Sequence, residues 1–183
     1  MECPEESPPF KTYQTAWGEA FVDAFDSLGI KGDPDHAAQL SVDGMGDREP
    51  YEDTLSFLEY VRRRWKRALL TNADDAFIQP LIQRHSLFFD AVVTSEMACA
   101  YKPDPRVFHR VLQETGVSPE EALYVGDTLF DDVHGAKLVG MPVAWINRNE
   151  ADRDPTLLAP DYEVTELREL IDVLESLREV GLS

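Results

Sequence analysis

Four short apolar runs, each followed by a helical pattern, constrain this chain more than any other feature. Ala68-Leu69-Leu70, Ala91-Val92-Val93, Leu123-Tyr124-Val125 and the run from Pro142 to Ile146 do not alternate polar with apolar residues. Uninterrupted apolar strands suit a sheet buried on both faces, which is a parallel sheet covered by crossover helices. The intervening segments supply such helices. Asp74 or Asp75 opens one through Phe77, Leu81 and Ile82. Pro105 opens another through Val107, Phe108, Val111 and Leu112, closed by Gly116, and a third carries Val133, Ala136 and Leu138 and stops at Gly140. A last amphipathic helix runs from Thr165 to Val180. The alternation predicts an α/β fold, a doubly wound, Rossmann-like parallel sheet flanked by helices.

The chain begins differently. Residues 1–11 are rich in Pro and Glu and read as a flexible lead-in. From Thr12 the apolar residues Trp17, Phe21, Phe25 and Leu28 recur at spacings of three and four, the mark of a helix, with Gly29 as its C-cap. A second helix is predicted from Pro34 to Val42, with Asp33 as N-cap. Gly44, Gly46 and Pro50 then break the chain, so residues 12–48 form a small helical unit and residues 49–183 the main α/β domain. The cluster Arg62, Arg63, Arg64, Lys66 and Arg67 ends a helix and reads as a solvated C-terminus favoured by the macrodipole.

Charge narrows the partners. Thirty-five acidic residues against 17 basic ones give a formal net charge of −18. Such a chain repels phosphate backbones and anionic lipid, so nucleic acid and membrane surfaces are excluded as expected partners. A phosphorylated small molecule then needs a local device such as a metal ion, a lysine or a helix N-terminus. No apolar run approaches the roughly 18–20 residues of a bilayer span. The two cysteines, Cys3 and Cys99, make neither a disulfide framework nor a zinc site, and the expected setting is the cytoplasm, as a monomer or homodimer. His36, His85, His109 and His134 lack metal-ligand spacing, and Trp17, Trp65 and Trp145 read as core or interface groups.

In a doubly wound sheet, ligands bind beyond the carboxyl ends of the strands. Thr71 and Asn72 follow the first strand. Ser95 and Glu96, then Lys102-Pro103, follow the second. Gly126-Asp127-Thr128 and then Asp131-Asp132 follow the third. Each has an ordinary local explanation: a helix cap, a turn, or acids in a first helical turn. Together a hydroxyl, a lysine and a carboxylate pair on three successive strand ends make a phosphate and Mg²⁺ site. Lysine neutralises phosphoryl charge as a point cation. Magnesium takes one or two carboxylates, waters and phosphate oxygens.

These three segments, Ala68–Asn72, Tyr101–Phe108 and Tyr124–Lys137, resemble the haloacid dehalogenase (HAD) superfamily of hydrolases over about residues 50–180. Residues 12–48 resemble part of that family's helical cap. The resemblance implies that Thr71, with Asn72 beside it, binds the phosphoryl group. It implies that Lys102 is the active-site lysine and that Asp127 is a metal ligand. The second acidic position aligns with Asp132, with Asp131 the adjacent alternative.

The family's first motif, an apolar strand ending in Asp-x-Asp-Gly, is not found. Its first Asp is the nucleophile and its second the general acid/base. Asp33-Pro34-Asp35 follows no apolar strand, Asp152-Arg153-Asp154 comes after the last strand, and Ser41-Val42-Asp43-Gly44 has serine where the nucleophile belongs. By resemblance the missing strand lies centrally, between the first and third strands. Four or five buried apolar side chains at about 1.5–3 kcal/mol each amount to roughly 6–15 kcal/mol, and a whole domain is stable by only about 5–15 kcal/mol. The expectation is a truncated HAD-like hydrolase, a Mg²⁺-dependent phosphatase or dehalogenase-like enzyme acting on a small molecule. The alternative is a non-catalytic phosphate- and Mg²⁺-binding or regulatory protein on the same scaffold. A phospho-receiver domain also uses carboxylates, Thr and a Lys-Pro pair, but there the carboxylates come first in the chain and the lysine last.

Overall fold

The computed structural model of the chain describes Cys3 and residues 8–179. Most of the expected lead-in, and Val180 at the expected end of the last helix, lie outside the described residues. The chain divides into two compact units: Met1–Glu49, Thr71–Phe88 and Thr94–Ala100 form the first, and Pro50–Leu70, Phe89–Val93 and Tyr101–Ser183 the second.

The first unit is helical. Helix α1 spans Tyr13–Leu28, with Thr12 accepting from the Thr15 N–H and Gly29 closing it at φ 64°. Helix α2 spans Pro34–Gly46, and Asp33 accepts from the Asp35 and His36 N–H groups. Asp75–Arg84 forms α4 and Ser95–Ala98 the single turn α5; Thr54–Arg62, α3, belongs to the second unit. Val42 of α2 packs with Ala73 and Phe77, beside half-buried Tyr13, Trp17, Met45 and Ile78. That contact explains why α2 continues past Gly44 instead of stopping at Val42. Burying Val42 and Gly46 against Phe77 outweighs the roughly 1 kcal/mol that a helical glycine costs. Asp74 is buried, and its carboxylate accepts from the Tyr13 and Gln14 N–H groups at 3.0 and 2.8 Å, capping α1 rather than its own helix. Arg84 donates to the Gly46 carbonyl and to Asp47 at 2.6 Å each, satisfying the end of α2.

Cys3 and Cys99 are joined in a disulfide within this unit. The expectation of two isolated thiols is therefore corrected. A bond across 96 residues of sequence leaves no spacing signature, because the fold and not the sequence brings its ends together.

The second unit carries the sheet. Helix α3 spans Thr54–Arg62. Strands β1, Ala68–Thr71, and β2, Ala91–Thr94, pair with one another. Strands β3 (Tyr124–Gly126), β4 (Val143–Ile146) and β5 (Tyr162–Val164) form a second ladder in the order β3-β4-β5, parallel throughout. The described strands thus fall in two ladders of the expected α/β fold. On the side away from β4, β3 has no strand partner among the described residues. Strand β5 was not anticipated, since its three residues alternate in burial and follow a polar stretch.

Helix α6, Pro105–Thr115, buries Val107, Phe108, Val111 and Leu112. The helix expected around Val133 is instead a wide π-type turn, Leu129–His134, running into the short α7, Gly135–Leu138. A Cβ on Gly135 would lie 2.7 Å from the Phe108 ring and 3.0 Å from the Pro103 Cα, so only glycine permits this approach. The last helix, α8, spans Leu170–Glu179 after a 3₁₀ turn at Leu167–Glu169, starting later than Thr165. Phe57, Val61, Ala144, Ile146, Val164 and Leu170 form the core joining α3, β4, β5 and α8. The basic cluster is more engaged than expected: Arg67 is buried and donates to the Leu58 carbonyl, while Arg64 lies over the Tyr60 ring.

Candidate phosphate and metal site

Lys102 follows α5 after a short loop, and its bond to Pro103 is cis. Its Nζ lies 2.6 Å from Asp132 Oδ1 and 3.3 Å from the Tyr124 hydroxyl. The Tyr124 hydroxyl donates to the same Asp132 oxygen at 2.8 Å. The other oxygen, Oδ2, accepts from the Asp127 N–H at 3.2 Å, the Thr128 N–H at 3.0 Å and the Thr128 hydroxyl at 2.8 Å. Asp132 is 3% exposed. The wide turn at Leu129–His134 carries it beneath the loop that leaves β3, and Gly126 admits it there. A Cβ on Gly126 would stand 2.3 Å from the Asp132 Cβ.

The electrostatics follow from this arrangement. Burial alone would push the Asp132 carboxyl up, but the charge and hydrogen bond of Lys102 and the Thr128 donors together hold it below the ordinary range. Burial and the neighbouring Asp132 push the Tyr124 hydroxyl well above its usual range. Burial first, and then Asp132, raises Asp131. Breaking a buried ion pair is costly because it strands a charge, so Lys102 and Asp132 hold one another and the Gly126–Thr128 loop in place.

Asp127 is differently situated. Its backbone is fixed, because Trp145 Nε1 donates to its carbonyl at 3.1 Å. Its side chain is exposed, and no described residue donates a hydrogen bond to its carboxylate. Asp131 is half-buried. Among the described residues no group of three or more His, Cys, Asp or Glu side chains forms a ready metal cage. The structure thus joins Lys102 to Asp132 and, through the loop, to the backbone of Asp127. Thr71, the last residue of β1, and Asn72 are half-buried and fall in the first unit, whereas the lysine and carboxylates fall in the second.

Tyr124 and Thr128 were not anticipated as partners of Asp132. Thr128 carried a signal, since a hydroxyl next to Gly126-Asp127 in a turn can accept or donate locally. Tyr124 carried none, because inside an apolar run it reads only as core. The Asp-x-Asp alternatives do local work. Asp33 caps α2, and Asp154 accepts from the Thr156 N–H and hydroxyl. Ser41 donates to the Ala37 carbonyl within its own helix.

Residues 19–146 match the family model described as haloacid dehalogenase-like hydrolase. A phosphoserine phosphatase of Thermus thermophilus is 36% identical over 161 residues, 82% of this chain and 61% of that protein. A glyceraldehyde 3-phosphate phosphatase of Pyrococcus furiosus is 36% identical over 116 residues, 62% of this chain and 43% of its own length. The chain therefore spans about two fifths to three fifths of these curated relatives. Among solved structures, L-2-haloacid dehalogenase from Xanthobacter autotrophicus superposes with a TM-score of 0.78 at 25% identity, covering 92% of this chain and 78% of that one. With the matched segment covering most of the chain and the same α/β architecture in the solved relative, the protein belongs to the haloacid dehalogenase-like hydrolase family.

Proposed function

We propose that this chain carries the phosphate- and Mg²⁺-holding part of a HAD-like hydrolase whose substrate is a small phosphorylated molecule. The observation that carries this reading is the buried Lys102–Asp132 pair under the Gly126–Thr128 loop. It spends a whole carboxylate on fixing a lysine and a loop, and it leaves Asp127 exposed at that loop. The similarity to two phosphatases supports a phosphoryl substrate.

The donor chemistry fits magnesium held through few protein oxygens. Asp127 would ligate it directly, with Asp131 near, and water would complete the shell, as the ion tolerates. Asp132 would not ligate, since both its oxygens already accept from Lys102, Tyr124, Thr128 and the Asp127 N–H. A bound Mg²⁺ would neutralise phosphoryl oxygens and favour an anion in a chain of net charge −18. Lys102, held by Asp132, would add a second positive charge. Neither Asp-x-Asp tripeptide of the sequence ends a strand.

The test is phosphate binding. Inorganic phosphate titrated into the chain, followed by ³¹P NMR, should bind more tightly with Mg²⁺ present, and Asp127→Asn should remove that gain. Equal affinity with and without Mg²⁺ would overturn the reading.

A further inference from the structure

In the sequence Trp145 reads as a core group, yet its indole reaches the loop that bears Asp127. It sits in β4, 2% exposed, opposite Gly126 of β3 in the ladder. An indole N–H can only donate, so a buried one needs an acceptor. This one takes the Asp127 carbonyl, at 3.1 Å.

Peptide groups are planar, so fixing the two planes that flank a Cα fixes the direction in which its side chain leaves. At Asp127 the preceding plane is held by the Asp127 N–H on Asp132 Oδ2, at 3.2 Å. The following plane is held at one end by the Thr128 N–H on the same oxygen, at 3.0 Å. Two N–H groups on a single oxygen leave the loop a pivot about that atom. The Trp145 bond holds the following plane at its other end and removes the pivot. The anchor is rigid, because β4 is the middle strand of its ladder and all four of its residues are buried. Asp131 belongs to the same frame. The Thr128 carbonyl accepts from the Asp132 and Val133 N–H groups at 3.2 and 3.1 Å, which ties the wide turn to the loop.

We propose that Trp145 is a positioning residue that, by holding the Asp127 carbonyl, makes this site select Mg²⁺ over the larger Ca²⁺. This role rests on the reading of Asp127 as the metal ligand. Mg²⁺ demands near-ideal octahedral geometry with oxygens at about 2.0–2.1 Å, whereas Ca²⁺ accepts flexible shells at about 2.3–2.6 Å. A carboxylate whose backbone can swing therefore loses more affinity for Mg²⁺ than for Ca²⁺. Removing a group that orients a metal ligand costs about 10–100-fold in affinity, and a site with few protein oxygens belongs at the low end.

Mg²⁺ and Ca²⁺ titrated separately into the full chain, followed by the Thr128 amide resonance, test this. Trp145→Phe keeps an aromatic ring and removes the donor. It should weaken Mg²⁺ binding about tenfold and Ca²⁺ binding much less, so the preference for Mg²⁺ falls. Val143→Ala thins the same strand's core without removing a bond to Asp127, and it should leave both affinities unchanged. Equal losses for the two ions, or a matching loss in Val143→Ala, would make Trp145 a structural group only and overturn the proposal. So would an unchanged Mg²⁺ affinity in Trp145→Phe beside its loss in Asp127→Asn, a result that leaves the metal reading standing. Mg²⁺ binding that survives Asp127→Asn would overturn the metal reading and this role together. Should Trp145→Phe fail to fold, the Trp145 indole N–H resonance of the unaltered chain decides. It should shift with Mg²⁺ at the same dissociation constant as the Thr128 amide, and a resonance that stays in place would overturn the proposal.

Discussion

Replacing Asp132 with asparagine removes one charge and almost no volume, so its effect isolates the network. Five donors converge on the two carboxylate oxygens: Lys102 Nζ and the Tyr124 hydroxyl on one, two backbone N–H groups and the Thr128 hydroxyl on the other. An amide has one acceptor oxygen. Whichever way it turns, its NH₂ faces donors, and Lys102, whose side chain is 12% exposed, loses the Asp132 charge. Removing one partner of a buried pair costs about 3–5 kcal/mol. At about 2–4 °C per kcal/mol for a chain of this size, the unfolding temperature should fall by roughly 6–20 °C. The folded-state carboxyl is held below its unfolded value, so its contribution is complete above about pH 4 and is lost as pH falls further. The Asp132→Asn chain should therefore show a shallower loss of stability between about pH 5 and pH 2. Urea unfolding followed by tryptophan fluorescence at several pH values measures both effects. Lys102→Met combined with Asp132→Asn should cost less than the sum of the single changes, by about 1–3 kcal/mol. A cost below about 1 kcal/mol for Asp132→Asn at pH 7, with an unchanged acid limb, would refute the view that this pair braces the loop.

Other expectations follow from the same geometry. Gly126→Ala drives a methyl into the Asp132 side chain and should destabilise the chain at the upper end of the usual 1–3 kcal/mol for overpacking, read as a lower denaturant midpoint. Reducing the Cys3–Cys99 disulfide, which closes a long loop, should cost about 2–4 kcal/mol, and Cys3→Ser should match the reduced chain; identical oxidised and reduced midpoints would deny the bond a role. The chain with Mg²⁺ should not turn over an aryl phosphate, because among the described residues no strand ends in an Asp-x-Asp tripeptide that could supply a nucleophile. A robust rate abolished by Asp127→Ala would reopen the roles of Asp33, Asp35 and Ser41.

The strands β1 to β4 were legible because buried parallel strands are continuously apolar, and α6 was legible because Asp104-Pro105 and Gly116 mark its ends. Strand β5 was not, since its pairing with β4 depends on where a long polar connection returns. The extent of α2 was misjudged because Phe77, 31 residues beyond Gly46, stabilises its last turn. At the site, residue types at strand ends pointed to Lys102, Asp127 and Asp132. That Asp132 is buried and Asp127 exposed was invisible, because it turns on which carboxylate the wide turn buries beneath Gly126. The disulfide was equally hidden.

Magnesium titrated by calorimetry into the chain, Asp127→Asn and Asp131→Asn tests the central claim most directly. Few protein oxygens and several retained waters predict weak binding with a dissociation constant on the order of millimolar. Asp127→Asn should abolish it, and Asp131→Asn should weaken it less. Binding that Asp127→Asn leaves unchanged would place the ion elsewhere and contradict the account.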